Sequence, residues 1–372
     1  MFTIQHDVLD NFLTLINIPS EAGEEQEIIT YIVKRLKQHT RFIKINTLKE
    51  NKNKNYGNVI AKIKGNPKLK PIMFCAHLDT VSPSKNINPQ ILNNIIKTDG
   101  TTILGADDKA GVAAILTLLR LIHKDKLTTC PIELVFTIGE EIGLVGAKNL
   151  DFSQIDSKIG FVLDSDGDIG KAVIKAPSYL YVKVKVKGLA SHAAMNPQLG
   201  VNSIKIAAEA IAKIPSGTID SETCMNVGII KGGVATNIVP ELTEVDFEIR
   251  SYSEAKIKKY QSVIETNFKN AAKKYKGTVE FDCDWHFKKY EFTKTNKALN
   301  IFSEACSNLK IPVKLVNSFG GSDANIFNQH GIETLNISAG YINPHSKDET
   351  IKLSSLKQLT DVIYEIVKIC SK

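Results

Sequence analysis

The sequence predicts an α/β protein with a central mixed β-sheet flanked by helices, into which a second, α+β module is inserted. Between residues 1 and 178, short apolar segments typical of buried strands alternate with segments of helical periodicity. From Tyr179 the order becomes strand–helix–strand–strand–helix–strand, which is typical of a small antiparallel sheet with helices on one face. After about Glu291 the first pattern returns. We therefore expect the α/β module at residues 1–178 and 289–372, and a ferredoxin-like module at residues 179–288.

The first module begins with helices and then becomes rich in strands. Apolar residues recur at helical spacing over Asp7–Ile16 and Glu24–Gln38. Strands, a polar turn and an apolar helix follow. Their predicted positions are Phe42–Asn46 (strand), Asn51–Tyr56 (turn), Asn58–Ile63 (strand), a buried strand running into His77, Val112 to about His123 (helix), Pro131–Ile138 (strand) and Gly160–Leu163 (strand).

The remaining elements are predicted in the same way. Alternating apolar residues indicate strands over Leu180–Val186 and Glu244–Ile249, and Lys-rich amphipathic periodicity indicates a helix from Ala255 to about Tyr275. The other predicted elements are the helix Val201–Ile214, the strands Met225–Ile229 and Thr278–Asp282, the helix Asn296–Lys310, a helix from Gly320 to His330, the strand Glu333–Ile337 and the helix Leu353–Cys370.

The composition excludes several classes of protein. A chain of 372 residues is long enough for two hydrophobic cores. No apolar run approaches the roughly 20 residues needed to span a membrane, and the first residues lack the pattern of a secretory signal. The six cysteines are scattered with no Cys-x-x-Cys pair, as expected for free thiols in a reducing compartment. We expect a cytoplasmic protein with no membrane partner.

The net charge of +7 does not indicate a nucleic-acid partner. The charge comes mostly from scattered lysines. Lysines alternate with valines in Lys183–Lys187, as in a half-exposed strand, and those of Lys256–Lys276 fit a solvated helix face. Because aromatic residues are not interleaved with these lysines, we expect no nucleic-acid binding.

Residues able to bind a metal lie at the ends of several predicted strands. His77 and Asp79 are two apart on an extended chain, so their side chains leave the strand end on the same side. Glu140 and Glu141 stand between glycines at the end of another strand. Alone, a His near an Asp is more often a surface pair, so the prediction depends on the whole set.

The other candidates lie in loops or at helix starts. Asp107 and Asp108 open a helix, where carboxylates are often caps, and for one of the two this is a sufficient role. Asp164 ends an apolar strand directly, and Asp166 competes with it two residues later. His345 lies in a loop near the end of the chain.

These residues predict a two-metal site. In an open α/β sheet, ligands bind beyond the carboxyl ends of the strands, where residues distant in sequence converge. Two histidines with several carboxylates and no cysteine suit zinc, or manganese or cobalt. More carboxylates are present than one zinc ion needs, which favours two ions roughly 3.5–4 Å apart that share a carboxylate.

The motifs around these residues resemble those of the M20 family of co-catalytic zinc peptidases, in particular its peptidase T (aminotripeptidase) and peptidase T-like branch. The resemblance covers nearly the whole chain in order, including the inserted module. The motifs are specific only as a set. They are Ala-His77-Leu-Asp79-Thr-Val, Gly-Ala-Asp107-Asp-Lys-Ala-Gly, Gly-Glu140-Glu141-Ile-Gly and Asn-Pro-His345-Ser346.

The resemblance implies a role for each of these side chains. Glu140 is expected to be the general base, acting on a hydroxide that bridges two zinc ions and then protonating the leaving amine. Asp79 is expected to orient His77 and fix its tautomer. The implied metal ligands are Asp107, shared by both ions, His77 and Asp164 at one ion, and Glu141 and His345 at the other.

The resemblance also implies that the inserted module is a lid and the site of homodimer formation. His192 corresponds to a position that stabilises the tetrahedral oxyanion, often from the partner subunit. Asn237 and Arg250 correspond to positions that hold the substrate backbone and its carboxylate. As alternatives, His192 is a surface histidine and Arg250 a surface ion pair. Gly321 or Ser322 is as well explained by helix capping as by substrate contact.

The predicted function is a dinuclear zinc peptidase that acts on short peptides as an aminopeptidase of the tripeptidase type. Within the same fold, the alternative is an M20 carboxypeptidase or an N-acyl-amino-acid deacylase, since Arg250 suits a substrate carboxylate. A non-catalytic binding protein on this fold is a third possibility, but it predicts the loss of a ligand or of the base, and all are present.

Overall fold

The computed structural model describes residues 4–48 and 55–372, so the predicted turn at 51–56 lies mostly outside the described residues. The helices are α1 (Ile4–Ile16), α2 (Gln26–Leu36), α3 (Ala106–Lys124), α4 (Val145–Lys148), α5 (Ser203–Ile211), α6 (Glu254–Tyr275), α7 (Lys297–Asn308), α8 (Asp323–Gln329) and α9 (Leu353–Cys370). The strands are β1 (Ile43–Thr47), β2 (Gly57–Ile63), β3 (Ile72–His77), β4 (Gln90–Leu92), β5 (Ile95–Lys97), β6 (Ile132–Thr137), β7 (Ile159–Ser165), β8 (Lys171–Ala176), β9 (Ser178–Lys187), β10 (Gly217–Asp220), β11 (Thr223–Gly232), β12 (Leu242–Ser251), β13 (Thr278–Phe287), β14 (Tyr290–Glu291), β15 (Lys314–Asn317), β16 (Glu333–Ser338), β17 (Tyr341–Ile342) and β18 (Thr350–Lys352).

The chain forms two compact units. The second unit comprises Lys175–Tyr290 together with the short segment Ser318–Gly321, and the rest of the chain forms the first unit. The sequence pattern did not indicate that this short segment joins the second unit. A Cβ atom on Gly321 would lie 2.1 Å from the ring of Phe287, so only a glycine permits this close approach.

The first unit contains the predicted mixed β-sheet. Its strands lie in the order β1-β2-β6-β3-β7-β16-β8-β14, and β15 also pairs with β8. The central strands β6, β3, β7 and β16 run parallel to one another. The strands that flank them, β2 beside β6 and β8 beside β16, are antiparallel, and β1 is antiparallel to β2. All residues of β3 and β6 are buried, as expected for central strands covered on both faces.

This topology brings three predicted strand ends to one edge of the sheet. The strand β3 lies between β6 and β7 and is parallel to both. It ends at His77, and β6 ends just before the loop that contains Glu140 and Glu141. Asp164 is the second-last residue of β7. Because parallel strands end on the same side, these groups converge beyond their carboxyl ends.

A small four-stranded sheet in the first unit, β17-β18-β5-β4, joins two segments that are distant in sequence. Ile351 in β18 lies opposite Ile96 in β5. This pairing places the residue before β18, Glu349, beside the loop that leads from β5 into α3.

The inserted unit is an antiparallel sheet in the order β10-β11-β12-β9-β13. Without the short β10, this is the strand order of a ferredoxin-like fold, as the sequence predicted. The alternating residues Val182, Val184 and Phe247 point to one face, where they pack with Ile264 and Phe268 of α6. The helices therefore cover one face of the sheet.

Candidate metal centre and active site

The first cluster at the sheet edge consists of His77, Asp107 and Asp164. The His77 Nε2 atom lies 3.0 Å from Asp107 Oδ1 and 3.7 Å from Asp164 Oδ1. The other ring nitrogen, Nδ1, is 2.9 Å from the backbone carbonyl of Asp79. A proton on Nδ1 donates to this carbonyl, which leaves the Nε2 lone pair directed at the two carboxylates.

The second cluster consists of Asp107, Glu141 and His345. The His345 Nε2 atom lies 2.9 Å from both carboxylate oxygens of Glu141 and 3.3 Å from Asp107 Oδ2. His345 has φ = +60°, an uncommon conformation for a residue with a side chain, and its side chain is 54% exposed. The strained loop directs the imidazole inward while one side stays open to solvent.

Asp107 belongs to both clusters. Its Oδ1 atom faces His77 and its Oδ2 atom faces His345. One carboxylate whose two oxygens face two separate histidines is the arrangement expected of a ligand shared by two ions.

Asp107 and Asp108, which the sequence left open between capping and ligation, have different surroundings. The backbone of both is non-helical within α3. Asp108 Oδ1 accepts a hydrogen bond from the Gly111 N–H at 3.1 Å, which is a capping contact, and its Oδ2 accepts one from the His77 N–H at 3.2 Å. Both oxygens of the Asp108 carboxylate therefore bind backbone N–H groups, whereas the Asp107 carboxylate faces the histidines of the two clusters.

Asp79 is fully buried and holds the loop with the two glutamates. Its Oδ1 and Oδ2 atoms accept hydrogen bonds from the backbone N–H groups of Glu140 and Glu141, both at 3.0 Å. The Asp79 carboxylate is more distant from His77, 3.5 Å from Nδ1. The contact that orients His77 is thus mainly the backbone carbonyl of Asp79, and its carboxylate fixes the directions of the two acids.

Asp164 and Asp166, the two competing candidates at the end of β7, have clearly different surroundings. Asp164 lies in the cluster and accepts a hydrogen bond from the Tyr341 hydroxyl at 2.9 Å. Asp166 is exposed and forms an ion pair with Lys171. Only Asp164 is placed to contribute an oxygen to the first cluster.

The electrostatics of the site show an excess of negative charge. Burial raises the pKa of the Glu140 carboxyl well above its usual value, and it raises that of Asp164 to about 7. Asp107 and Glu141 raise the pKa of His345 to about 10. Burial opposes the charged form of His77, but the carboxylates of Asp107, Asp164 and Asp79 outweigh it and raise its pKa.

This donor set fits two divalent cations. Four neighbouring carboxylates, those of Asp107, Glu140, Glu141 and Asp164, would be neutralised by four positive charges. Without cations, this charge is offset by protons on neighbouring carboxyls and histidines, since an isolated buried charge is costly. The ligand atoms of each cluster lie within 4.8 Å of one another, close enough for a single ion. Nitrogen and oxygen donors without sulfur suit zinc, manganese or cobalt.

Sequence reasoning missed several buried side chains that support the loop after β6. The Glu25 Oε1 atom accepts a hydrogen bond from the Gly139 N–H at 3.0 Å, and Tyr56 donates to Oε2 of the same carboxylate. The Asn58 Oδ1 atom accepts one from the Ile138 N–H at 3.2 Å. With Asp79, four consecutive N–H groups of this loop are bound by side chains. No local pattern could have indicated these contacts, because the partners are more than 60 residues away.

In the inserted unit, His192 and Asn237 lie on two paired loop segments. The Ala193 N–H donates to the Asn237 carbonyl at 3.0 Å, and His192 forms a bridge with Ile238. The His192 Nδ1 atom accepts from the N–H of Met195 at 3.1 Å, so the ring proton is on Nε2. Both His192 and Asn237 are exposed.

Arg250 lies at the opposite end of the same sheet. Its guanidinium group donates to the carbonyl of Phe319 at 3.1 Å and to Glu248 at 3.2 Å, and it packs 4.7 Å from the centre of the Tyr179 ring. The Nε atom is buried and has no hydrogen-bond partner among the described residues. Arg250 thus lies over an aromatic ring and beside the Ser318–Gly321 segment.

Ser322 is buried at the start of α8. Its N–H donates to Asn325 Oδ1 at 3.1 Å, and its hydroxyl accepts from Asn336 at 3.1 Å. These contacts belong to a helix cap, and the structure gives no separate indication that Gly321 or Ser322 touches a substrate.

Two family models match parts of this chain. The model of the M20 peptidase dimerisation domain matches residues 175–276, and the model of peptidase family M28 matches residues 58–196. Among full-length relatives, the uncharacterised protein YqjE of Bacillus subtilis is 34% identical, with 98% of each chain covered. A peptidase T of Listeria welshimeri is 26% identical, with 98% of this chain and 99% of the relative covered.

Solved structures match over the same length. The aminopeptidase PepT of Bacillus cereus is 34% identical with a TM-score of 0.86, and 99% of each chain is covered. A tripeptidase of Staphylococcus aureus is 32% identical with a TM-score of 0.91, and 98% of each chain is covered. The fold and the clustered histidines and carboxylates are therefore those of a metal-dependent hydrolase of peptide bonds. Within that class, the chain belongs to the M20 peptidase family and is peptidase T-like.

In the part of the chain that the structure describes, no helix has both the length and the apolar character needed to cross a membrane.

Proposed function

We propose that this enzyme is a dinuclear zinc aminopeptidase of the tripeptidase type, which releases the N-terminal residue of short peptides. The observation that carries the proposal is the division of the Asp107 carboxylate between two histidines, with Oδ1 near His77 and Oδ2 near His345. The names of two structural relatives above 30% identity, an aminopeptidase and a tripeptidase, support the same choice.

Five side chains would hold the two ions. Asp107 would be shared, His77 and Asp164 would complete one set of ligands, and Glu141 and His345 the other. When bound, the ions would supply Lewis acidity, which acidifies a water molecule and polarises the scissile carbonyl group. Manganese or cobalt are the alternatives for the same donor set.

Glu140 is proposed as the general base. Burial raises the pKa of its carboxyl, so Glu140 accepts a proton more readily than an exposed glutamate does. Asp79 holds the N–H groups of Glu140 and Glu141, so these adjacent residues have fixed and different directions. Glu141 faces His345 while Glu140 stays free to take a proton from water and pass it to the leaving amine.

The remaining groups that contact the substrate are proposed to come from the inserted units of two different chains. Asn237 and His192 lie beyond the end of β12 that starts at Leu242, and Arg250 lies near its other end, paired with Tyr179. Eight residues of antiparallel strand span roughly 27 Å. An extended tripeptide spans at most about 10 Å. If His192 stabilises the oxyanion and Arg250 binds the carboxylate of one short substrate, they must come from different subunits.

The surface of the inserted unit supports a homodimer as the active form. Several large apolar side chains are exposed around the His192 loop and the free part of β11, and the most exposed is Val234 at 88%. Among the described residues, the short β10 pairs with β11 only as far as Met225, which leaves the outer edge of the rest of β11 unpaired. The exposed apolar residues are Leu189, Met195, Leu199, Ile229, Ile230, Val234, Ile238 and Leu242.

A cytoplasmic location is part of this proposal. All six cysteines are free thiols, of which Cys283 is exposed and Cys224 and Cys370 are partly exposed, which suits a reducing compartment.

The test compares a tripeptide with its N-acetylated form, using protein reconstituted with zinc. We expect hydrolysis of the free tripeptide and release of its first residue, with two ions bound per chain. Activity only on the N-acetylated substrate would replace the aminopeptidase by a deacylase or carboxypeptidase. Fewer than two ions in a fully active preparation would contradict the dinuclear site.

A further inference from the structure

Glu349 is a buried carboxylate beside the metal clusters, and neither the sequence motifs nor the proposed ligand set assigns it a role. Glu349 is only 1% exposed. The Oε2 atom accepts hydrogen bonds from the N–H groups of Leu104 at 2.9 Å and Gly105 at 2.7 Å. The Oε1 atom accepts one from the N–H of Asp107 at 2.9 Å. Three backbone N–H groups within four residues therefore converge on one side chain.

These contacts fix the backbone that carries the Asp107 carboxylate. Gly105 has φ = +71° and the Asp107 backbone is non-helical, so the regular hydrogen bonds of α3 do not hold this segment. Glu349 provides the missing acceptors from a part of the chain more than 240 residues away.

Glu349 also lies close in sequence to a second candidate ligand. It follows His345 by four residues, and its N–H donates to the Ser346 carbonyl at 3.1 Å. The pairing of β18 with β5 holds this segment in place from the other side. One short stretch of chain thus supplies the imidazole of His345 and also clamps the backbone of Asp107.

We propose that Glu349 is a positioning residue that sets the place of the Asp107 carboxylate relative to His345, and thereby the geometry in which two ions are held. The inference rests on the dinuclear site of the proposed function and extends it to a residue outside the ligand set. Residues that hold ligands in this way commonly affect metal affinity by about 10–100-fold.

The substitution Glu349→Gln tests the clamp with little change in shape. A glutamine has one acceptor oxygen and one NH₂ group, and NH₂ is only a donor. If its oxygen accepts from Leu104 and Gly105, its NH₂ group faces the N–H of Asp107. The opposite orientation places the NH₂ group against the other two N–H groups. Either way, two donors face each other at the segment that holds Asp107.

Glu133 offers a matched control in the same unit. It is also buried, at 2% exposure, and accepts hydrogen bonds from the N–H groups of Asp156 and Ser157. It also pairs with Lys62, and its hydrogen-bond and ion-pair partners among the described residues lie outside both metal clusters. Glu133→Gln therefore disrupts a buried carboxylate that binds backbone N–H groups without touching the site.

The experiment titrates metal-free wild type, Glu349→Gln and Glu133→Gln with Zn²⁺ by calorimetry and with Co²⁺ by visible absorption. The melting temperature of each protein is measured with and without zinc. We expect Glu349→Gln to bind with about 10–100-fold lower affinity, to show a changed Co²⁺ spectrum and to gain less in melting temperature from zinc. Glu133→Gln is expected to melt lower without metal but to keep the wild-type affinity, spectrum and zinc-induced gain.

Every other outcome overturns the proposed role of Glu349. Wild-type affinity and spectrum in Glu349→Gln would overturn the positioning role and leave the proposed function standing. Equal losses in both variants would show a general loss of stability and would also overturn it. Fewer than two ions in the wild type would overturn this inference together with the proposed function. If Glu349→Gln does not fold, Glu349→Asp is compared with Glu133→Asp, and equal metal affinity of these two shorter variants overturns the proposal.

Discussion

The candidate functional groups of the two units are held in opposite ways. In the first unit, the cluster around Asp107 is largely buried, and the loops that carry it are bound by side chains of Asp79, Glu25, Asn58 and Glu349. In the inserted unit, His192 and Asn237 are exposed, and the hydrogen bonds described for them are with neighbouring loop backbone. The first region is preorganised within one chain.

This difference indicates what each region needs in order to work. Buried acids whose loops are fixed from several sides require only cations to complete them. Exposed groups at one end of a sheet, surrounded by apolar side chains, require a covering surface. We infer that metal completes the first region and that a second subunit completes the inserted unit. The predictions below test this contrast.

The largest effect is expected from Glu140→Gln. Loss of the general base lowers kcat by about 10²–10⁴-fold, while the metal content stays at two ions because Glu140 is not a proposed ligand. Glu141→Gln is the matched control, and it is expected to lose metal as well as activity. Metal analysis beside kcat measurement checks both variants. Equal loss of metal from both would show that the two residues share one role.

His192→Ala is expected to lower kcat by about 10²–10³-fold, the usual cost of removing an oxyanion donor. The informative measurement mixes this variant with Glu140→Gln under conditions that exchange subunits. If His192 acts across the dimer, each mixed dimer has one intact site, and activity returns to about a quarter of the wild-type value. If subunit exchange is verified and the activity does not return, His192 acts in the active site of its own chain. The proposed difference between the two units would then be wrong.

Asp164→Asn compared with Asp166→Asn tests how the first cluster is composed. Removing a ligand oxygen at Asp164 is expected to reduce metal affinity by at least about 10–100-fold. Asp166 is exposed and paired with Lys171, so its substitution is expected to change stability by less than about 1 kcal/mol and metal affinity not at all. If metal titration shows a loss of affinity in Asp166→Asn and none in Asp164→Asn, then Asp166 is the ligand instead of Asp164.

Metal binding is expected to release protons. In the metal-free protein, burial raises the pKa of Asp164 to about 7, and Asp107 and Glu141 raise that of His345 to about 10. At pH 7 both groups therefore hold protons wholly or in part, and an ion must displace them. Affinity should rise with pH between about pH 6 and pH 8, by about tenfold per pH unit for each proton released.

Calorimetry in buffers of different ionisation enthalpy counts these protons directly. His345→Ala should release roughly one proton fewer than the wild type. If binding is independent of pH across this range, the electrostatic description of the metal-free cluster is wrong.

The smallest effect on folding is expected from Val234→Lys. The side chain is 88% exposed, so the free energy of unfolding should change by less than about 0.5 kcal/mol. If the surface around it joins two subunits, the variant should shift toward monomer in sedimentation experiments and lose activity with it. Leu92→Lys, at an exposed apolar position of the first unit, is the control and should leave the mass unchanged. An unchanged mass for Val234→Lys would argue against this surface as the interface.

The sequence by itself determined the architecture and the chemistry available to it. Strand and helix periodicity indicated the mixed sheet and the inserted ferredoxin-like unit, because both depend on local apolar spacing. The placement of His77, Asp107 and Glu141 at strand or helix ends indicated a convergent site, because parallel strands end at one edge. The closing helix Leu353–Cys370 was predicted with its observed bounds.

Only the tertiary structure shows the surroundings of each of two neighbouring acids. The sequence favoured Asp164 over Asp166 because Asp164 directly ends the apolar strand, and the family resemblance favoured Asp107 over Asp108. The packing gives the other member of each pair a different partner, Lys171 for Asp166 and the Gly111 N–H for Asp108. Glu349 and Glu25 carry no local signal at all. Hydrogen bonds between residues that are 100 or 200 positions apart form only when the chain has folded, and local sequence does not encode them.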